Sequence, residues 1–192
     1  MIKVIKLVLA ISTGVVLGAV SLVMLLQSFG QGSGQIQNGP WSTDLTTGGA
    51  DASMYTRARV ALGGLLALSK EETIYFTAYE DNEGLTLSDG CDYTVIGRDP
   101  ATRWWSITAY ASDNYLPQND DNQLSMAQST VRRDASGQFA IKVSAAPQAE
   151  NWISSRNAGN YSLTLRLYNP APQVYEAPAT TPLPKIIRGH CQ

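Results

Sequence analysis

Residues 161–167 read YSLTLRL. Tyr161, Leu163, Leu165 and Leu167 alternate with Ser162, Thr164 and Arg166. A period of two sends successive side chains to opposite faces of an extended chain, so this segment has one apolar and one polar face. That is the pattern of a strand with one side on a core. The same period recurs on the N-terminal side. Ile74, Phe76 and Ala78 alternate with Thr and Tyr, Trp105, Ile107 and Ala109 share one face, and Phe139, Ile141 and Val143 alternate with Ala140 and Lys142. Cys91 to Ile96 is a weaker strand, with Leu85 to Leu87 beside it. Turn-forming runs separate them: Asp81-Asn82-Glu83-Gly84, Ser88-Asp89-Gly90, Asp134-Ala135-Ser136-Gly137 and Asn157-Ala158-Gly159-Asn160. No regular helices alternate with the strands, which argues against a doubly wound parallel sheet. The expected fold is mainly β, an antiparallel β-sandwich.

One helix precedes the strands. Asp51 or Ser53 can cap it, and Met54, Ala58, Ala61, Leu62, Leu65 and Leu66 follow helical spacing. The pattern predicts a helix over Ser53 to Leu68, packed at one side of the sandwich, with Gly63-Gly64 weakening its interior.

The N-terminus sets the location. Lys3 and Lys6 precede the uncharged run LVLAISTGVVLGAVSLVMLL, Leu7 to Leu26. A helix of that length spans about 30 Å, the thickness of a hydrocarbon core. The lysines hold the short end in the cytoplasm. The rest then lies in the periplasm or another extracytoplasmic space, and the protein is a single-pass protein of the cell inner membrane. A cleaved signal peptide is the rival reading, with Ser28 and Gly30 as small residues near a cleavage point, although secretory apolar regions are shorter. Ala10, Gly14 and Gly18 form a small-residue stripe suited to close contact with another membrane helix.

The expected organisation is a cytoplasmic N-terminus (1–6), a transmembrane helix (7–26), a flexible Gly- and Gln-rich tether (27–38), a helix-plus-sandwich domain (39–170) and a Pro-rich C-terminal tail (171–192). Cys91 and Cys191 are the only cysteines, and both fall in the part where oxidation is permitted. A disulfide between them would tie the tail back to the domain.

Composition narrows function by exclusion. The chain has 14 basic and 16 acidic residues and a net charge of −2, with no basic stripe, so nucleic acid is not a partner. His190 is the one histidine and sits in a terminal segment, where no catalytic triad can be built on it. Asp113, Asp120 and Asp121 lie among Asn and Gln without calcium-loop spacing. Glu71-Glu72 reads as a polar connector, and Ser88 and Ser106 lack a nucleophile-elbow context. No catalytic residue, metal ligand or cofactor is assigned. The aromatic cluster is the more informative feature. Alternation sends Trp104 and Trp105 to opposite faces, one to the core and one outward. Arg103, Trp104, Tyr110, Tyr115, Asn122, Gln123 and Trp152 are therefore the candidates for a ligand or partner groove.

WWSITAYASDNYLPQNDDNQLSM (Trp104 to Met126) and NWISSRNAGNYSLTLRLYNP (Asn151 to Pro170), preceded by YTRARVALGGLLALSKEETIYFTAYEDNEG (Tyr55 to Gly84), resemble the bacterial domain of unknown function 1214. The resemblance implies a β-sandwich. It also implies a separate envelope partner carrying the companion domain of unknown function 1254, which precedes this domain in longer relatives. Gln123 stands where that family often has Arg, so an anion-binding role of that Arg is not carried over. The resemblance supplies no reaction. The leading expectation is a non-catalytic envelope protein that binds a partner or serves as a subunit of a membrane assembly. The alternative is a hydrolase acting on lipid, glycan or a small molecule, active when paired. A third option is a released periplasmic ligand-binding domain.

Overall fold

The alternation of residues 161–167 lies at the centre of a six-stranded sheet. In a computed structural model, residues 2–28, 34–50, 52–62 and 68–191 are described. The elements are α1 (Ile2–Ser28), β1 (Gln35–Asn38), β2 (Trp41–Asp44), α2 (Met54–Leu62), β3 (Thr73–Ala78), β4 (Cys91–Gly97), β5 (Thr102–Ala111), β6 (Ser125–Ala127), β7 (Phe139–Ser144), β8 (Trp152–Ser154), β9 (Tyr161–Pro170), α3 (Pro172–Glu176) and β10 (Lys185–Cys191). One sheet has the order β1-β2-β3-β9-β5-β6, and the other β10-β4-β7-β8.

The registers align the apolar sets. Phe76 lies opposite Leu165, and Leu165 opposite Ile107. The second sheet supplies Tyr93, Val95, Phe139, Ile141, Val143, Ile153 and Ile186, all buried. Trp105 and Phe139 meet across the sheets with ring centroids 4.9 Å apart. Each such side chain contributes about 1.5–3 kcal/mol through its removal from water. The indole Nε1–H of buried Trp105 donates to Asp99 Oδ1 at 2.8 Å, and Arg133 holds that same carboxylate.

The expected mainly-β architecture with two packed sheets is present. One pair departs from the antiparallel pattern: β7 and β8 run parallel. The seven residues between them return the chain sharply, and Asn151, at φ 37°, ends the return. Its side-chain amide donates to the carbonyls of Arg132 and Ala140. Asn tolerates this left-handed backbone better than most residues. The helix expected from Ser53 is α2, whose first turn is capped by Ser53 Oγ accepting from the Thr56 amide. Residues 63–67 of the expected span lie outside the described residues, as do residues 29–33 of the expected tether. The end of that tether is not a free linker, because Gln35–Asn38 form β1 and pair with β2.

Among the described residues, α1 is the one helix long and apolar enough to anchor the protein in a membrane. Its apolar window within Lys3–Met24 is not buried inside the protein at all. A Cβ added at Gly14 or Gly18 would meet nothing within 4 Å, so that side of the helix is open.

The C-terminal residues form β10, which pairs with β4 and shifts register between Arg188 and Cys191. Cys91 and Cys191 are joined by a disulfide. Two polar contacts help hold the strand. Asn82 exchanges bonds with the Ile186 backbone, and Arg188 Nε donates to Asp81 Oδ2 at 2.7 Å. The Asp81 side chain is fully buried. Burial alone would raise its pKa, but the amides of Leu85 and Glu83 and the Arg188 guanidinium outweigh it and hold the carboxyl below its ordinary 3.8. A depressed folded pKa gives stability that is fully present above the ordinary value and lost as pH falls through the folded one. Asp81→Asn is therefore expected to cost about 3 kcal/mol at pH 7. Its penalty relative to the wild type should shrink below pH 4 in parallel chemical-denaturation curves. A penalty equal at pH 7 and pH 3 would contradict the ionised pair.

Candidate functional site

The outer face of the six-stranded sheet carries the polar halves of β3, β9 and β5. Register places Tyr75 opposite Arg166, and Arg166 opposite Ser106. Trp104 lies opposite Tyr168, with ring centroids 5.3 Å apart. Ser106, Thr108, Ser162 and Thr164 are short and buried, so they form a floor between the larger side chains. Arg166 rises from its middle, half-buried. One terminal nitrogen donates to Thr108 Oγ1 at 3.0 Å, and the other donates to the Tyr110 hydroxyl. Its guanidinium carbon is 5.3 Å from the centroid of the Tyr110 ring and 6.0 Å from that of Tyr75. Burial pushes the Tyr75 hydroxyl pKa up, with Tyr168 adding to the rise and Arg166 opposing it.

Two residues singled out from the sequence, Trp104 and Tyr110, belong to this face. Trp104 is 37% exposed whereas Trp105 is fully buried, so the two indoles divide as alternation requires. Arg103 lies on the opposite side of β5 from Trp104 and is exposed. Tyr115 is exposed in the loop after β5, and Asn122 is an exposed left-handed turn residue whose amide donates to the Asp120 carbonyl. None of Arg103, Tyr115 and Asn122 takes part in the ring and guanidinium contacts that join Trp104 with Tyr168 and Tyr110 with Arg166.

Gln123 and Trp152 instead line a separate groove of about 460 Å³ between β6 and β8, with Met126, Arg132, Glu150 and Asn151. Several of its polar groups are engaged within the chain. Gln123 Nε2 bonds the Ser125 carbonyl, Trp152 Nε1 bonds the Ser144 carbonyl, and Arg132 pairs with Glu150. The groove is therefore shaped in part by its own internal bonds.

Arg166, Tyr75 and Tyr168 escaped the sequence reading as site residues. The signal was present, because Arg166 is the one charged residue in the alternating run of β9. What alternation along one strand cannot give is the pairing that places Tyr75 and Tyr110 on either side of it. Among the described residues, no three His, Cys, Asp or Glu side chains gather as a metal-binding group. His190 is exposed on β10.

Residues 72–172, more than half the chain, match the family described as Protein of unknown function (DUF1214). The chain belongs to the DUF1214 family. The matched region runs from the start of β3 into the first residue of α3, so it contains the whole Arg166 face. A similar fold is seen in the crystal structure of the VPA0106 protein from Vibrio parahaemolyticus, at TM-score 0.61 and 23% identity, over 73% of this chain and 36% of that one. A structure of a putative uncharacterized protein from Burkholderia cenocepacia aligns at TM-score 0.43 and 21% identity, over 63% of this chain and 30% of that one. The chain thus spans about a third of the length of these solved structures. No curated protein matches it.

Proposed function

We propose that this DUF1214 protein is a non-catalytic, single-pass subunit of an inner-membrane assembly. Its N-terminus faces the cytoplasm, and its sandwich docks a partner protein in the periplasm through the outer face of the six-stranded sheet. The observation that carries this reading is the band of Trp104, Tyr168, Tyr110 and Tyr75 around Arg166. Trp, Tyr and Arg are the residues that anchor protein interfaces, because they present large, ordered contact areas with a polar end. Lys3 and Lys6 support the orientation, and the Cys91–Cys191 bridge suits an oxidising compartment.

The proposed partner carries the companion domain of unknown function 1254. Its support is the family resemblance, together with the length of the Vibrio chain, of which nearly two thirds lies outside the match. A separate protein in the same membrane can supply here what a longer polypeptide holds in one chain. The test is co-expression of the full-length protein with that companion, followed by purification in mild detergent. A stoichiometric complex is expected, and Trp104→Ala should weaken it about 30-fold, as loss of an interface anchor does. Recovery of this chain alone would contradict the proposal.

A further inference from the structure

We propose that Arg166 is a built carboxylate-binding point, filled by an Asp or Glu side chain of the docked partner. The proposal rests on the docking reading and names the chemistry at its centre. Four other arginines of the domain have their counterions within the chain, whereas Arg57 and Arg98 donate to backbone carbonyls. Arg133 pairs with Asp99, Arg156 with Asp121, Arg188 with Asp81 and Arg132 with Glu150. Arg166 has no carboxylate partner among the described residues. Its hydrogen bonds go to two neutral hydroxyls, Thr108 and Tyr110.

The surroundings make this more than an unpaired surface charge. β3, β9 and β5 contain no acidic residue at all, although the chain as a whole is net negative. A cation therefore stands at the centre of the sheet with no anion on its own strand or on either neighbour. Thr108 and Tyr110 fix its two terminal nitrogens, and the rings of Tyr75 and Tyr110 lie beside it. That leaves a planar, oriented donor group with N–H directions still to be used. A guanidinium so held has lost its side-chain freedom before binding and matches a carboxylate in two-point geometry. The flanking rings limit water, which strengthens the attraction. A docked protein surface would cover these rings and desolvate the pair further.

The test uses the full-length protein in zwitterionic detergent micelles, with the Arg166 Nε–H signal followed by nuclear magnetic resonance and assigned through Arg166→Lys. The probes are a capped Gly-Leu-Glu-Leu-Gly peptide, its Gln counterpart, inorganic phosphate and phosphatidylglycerol. The Glu peptide is expected to move the Arg166 signal saturably, and the Gln peptide to bind about tenfold more weakly, as loss of one charge-assisted contact implies. Tyr110→Phe, which keeps the ring and the fold but frees one arm of the guanidinium, should reduce the response to the Glu peptide. Equal responses to the Glu and Gln peptides would overturn the proposal. A tighter response to phosphate or phosphatidylglycerol would overturn it in favour of a phosphate-bearing ligand.

A second arm separates this inference from the docking reading. Arg166→Gln in the co-expressed pair should lower complex recovery about tenfold. A complex sensitive to Trp104→Ala but indifferent to Arg166→Gln would sink the carboxylate assignment and leave docking standing. A saturable Glu-peptide response with no companion complex would do the reverse.

Discussion

Leu165→Asp should abolish the folded domain, whereas Arg166→Gln, one residue along the same strand, should leave it intact. Leu165 is fully buried on β9, between Phe76 of β3 and Ile107 of β5. Removing such a side chain from a core costs about 2–5 kcal/mol. Placing a carboxylate in the same apolar space adds several kcal/mol, since no buried cation is at hand to pair with it. The sum approaches the whole stability of an ordinary domain, about 5–15 kcal/mol. Arg166→Gln removes two hydrogen bonds to hydroxyls on a half-exposed face and should cost about 1 kcal/mol. Limited proteolysis of both variants in detergent reads the difference. Rapid digestion is expected for Leu165→Asp and wild-type resistance for Arg166→Gln. Equal resistance would mean that β9 does not face the core with its leucines.

The second large effect concerns the disulfide. Cys91 and Cys191 are 100 residues apart, so the bridge removes a large share of the freedom of the unfolded chain. A loop of that size corresponds to about 4–5 kcal/mol in the chain-entropy account. Cys91→Ser with Cys191→Ser, or reduction of the wild type, should lower the melting temperature by about 10 °C, at the usual few degrees per kcal/mol. The loss should begin at β10. Ile186 is its one fully buried side chain, while Ile187, Gly189 and His190 are exposed, so few apolar contacts hold its last residues. Hydrogen exchange should show the Gly189 and Cys191 amides deprotected first, with β9 unaffected. A melting temperature unchanged on reduction would show that Asp81–Arg188 and the ladder to β4 hold the strand alone.

Most of the sandwich was legible because alternation is a local signal with a single meaning. In β3, β5, β7 and β9 each apolar residue of the pattern is buried, and Trp104 and Trp105 part to opposite faces. β1 was not legible. Gln35–Asn38 has no apolar alternation, and it is a strand because Trp41–Asp44 folds back along it and joins it to the sheet edge. The parallel β7–β8 pair was hidden for a similar reason, since strand direction is set by how residues 145–151 return and not by side-chain period. The site was half legible. Trp104 and Tyr110 stood out as aromatics on a polar face. Arg166 became significant only when the sheet order put β3 and β5 on its two sides. Gln123 and Trp152 lie apart from them, at the β6–β8 edge, a placement that depends on sheet order and not on side-chain period.

The central claim is that the outer face of the six-stranded sheet meets a partner protein. Its most direct test is site-specific photocrosslinking in intact membranes, with the photoreactive residue placed at Trp104 on that face or at Lys142 on the exposed side of β7. A defined crosslink to the companion protein from position 104, and none from position 142, is the predicted result. Crosslinking from position 142 with none from 104 would show that the partner, if it binds, uses the other sheet, and the account would be wrong.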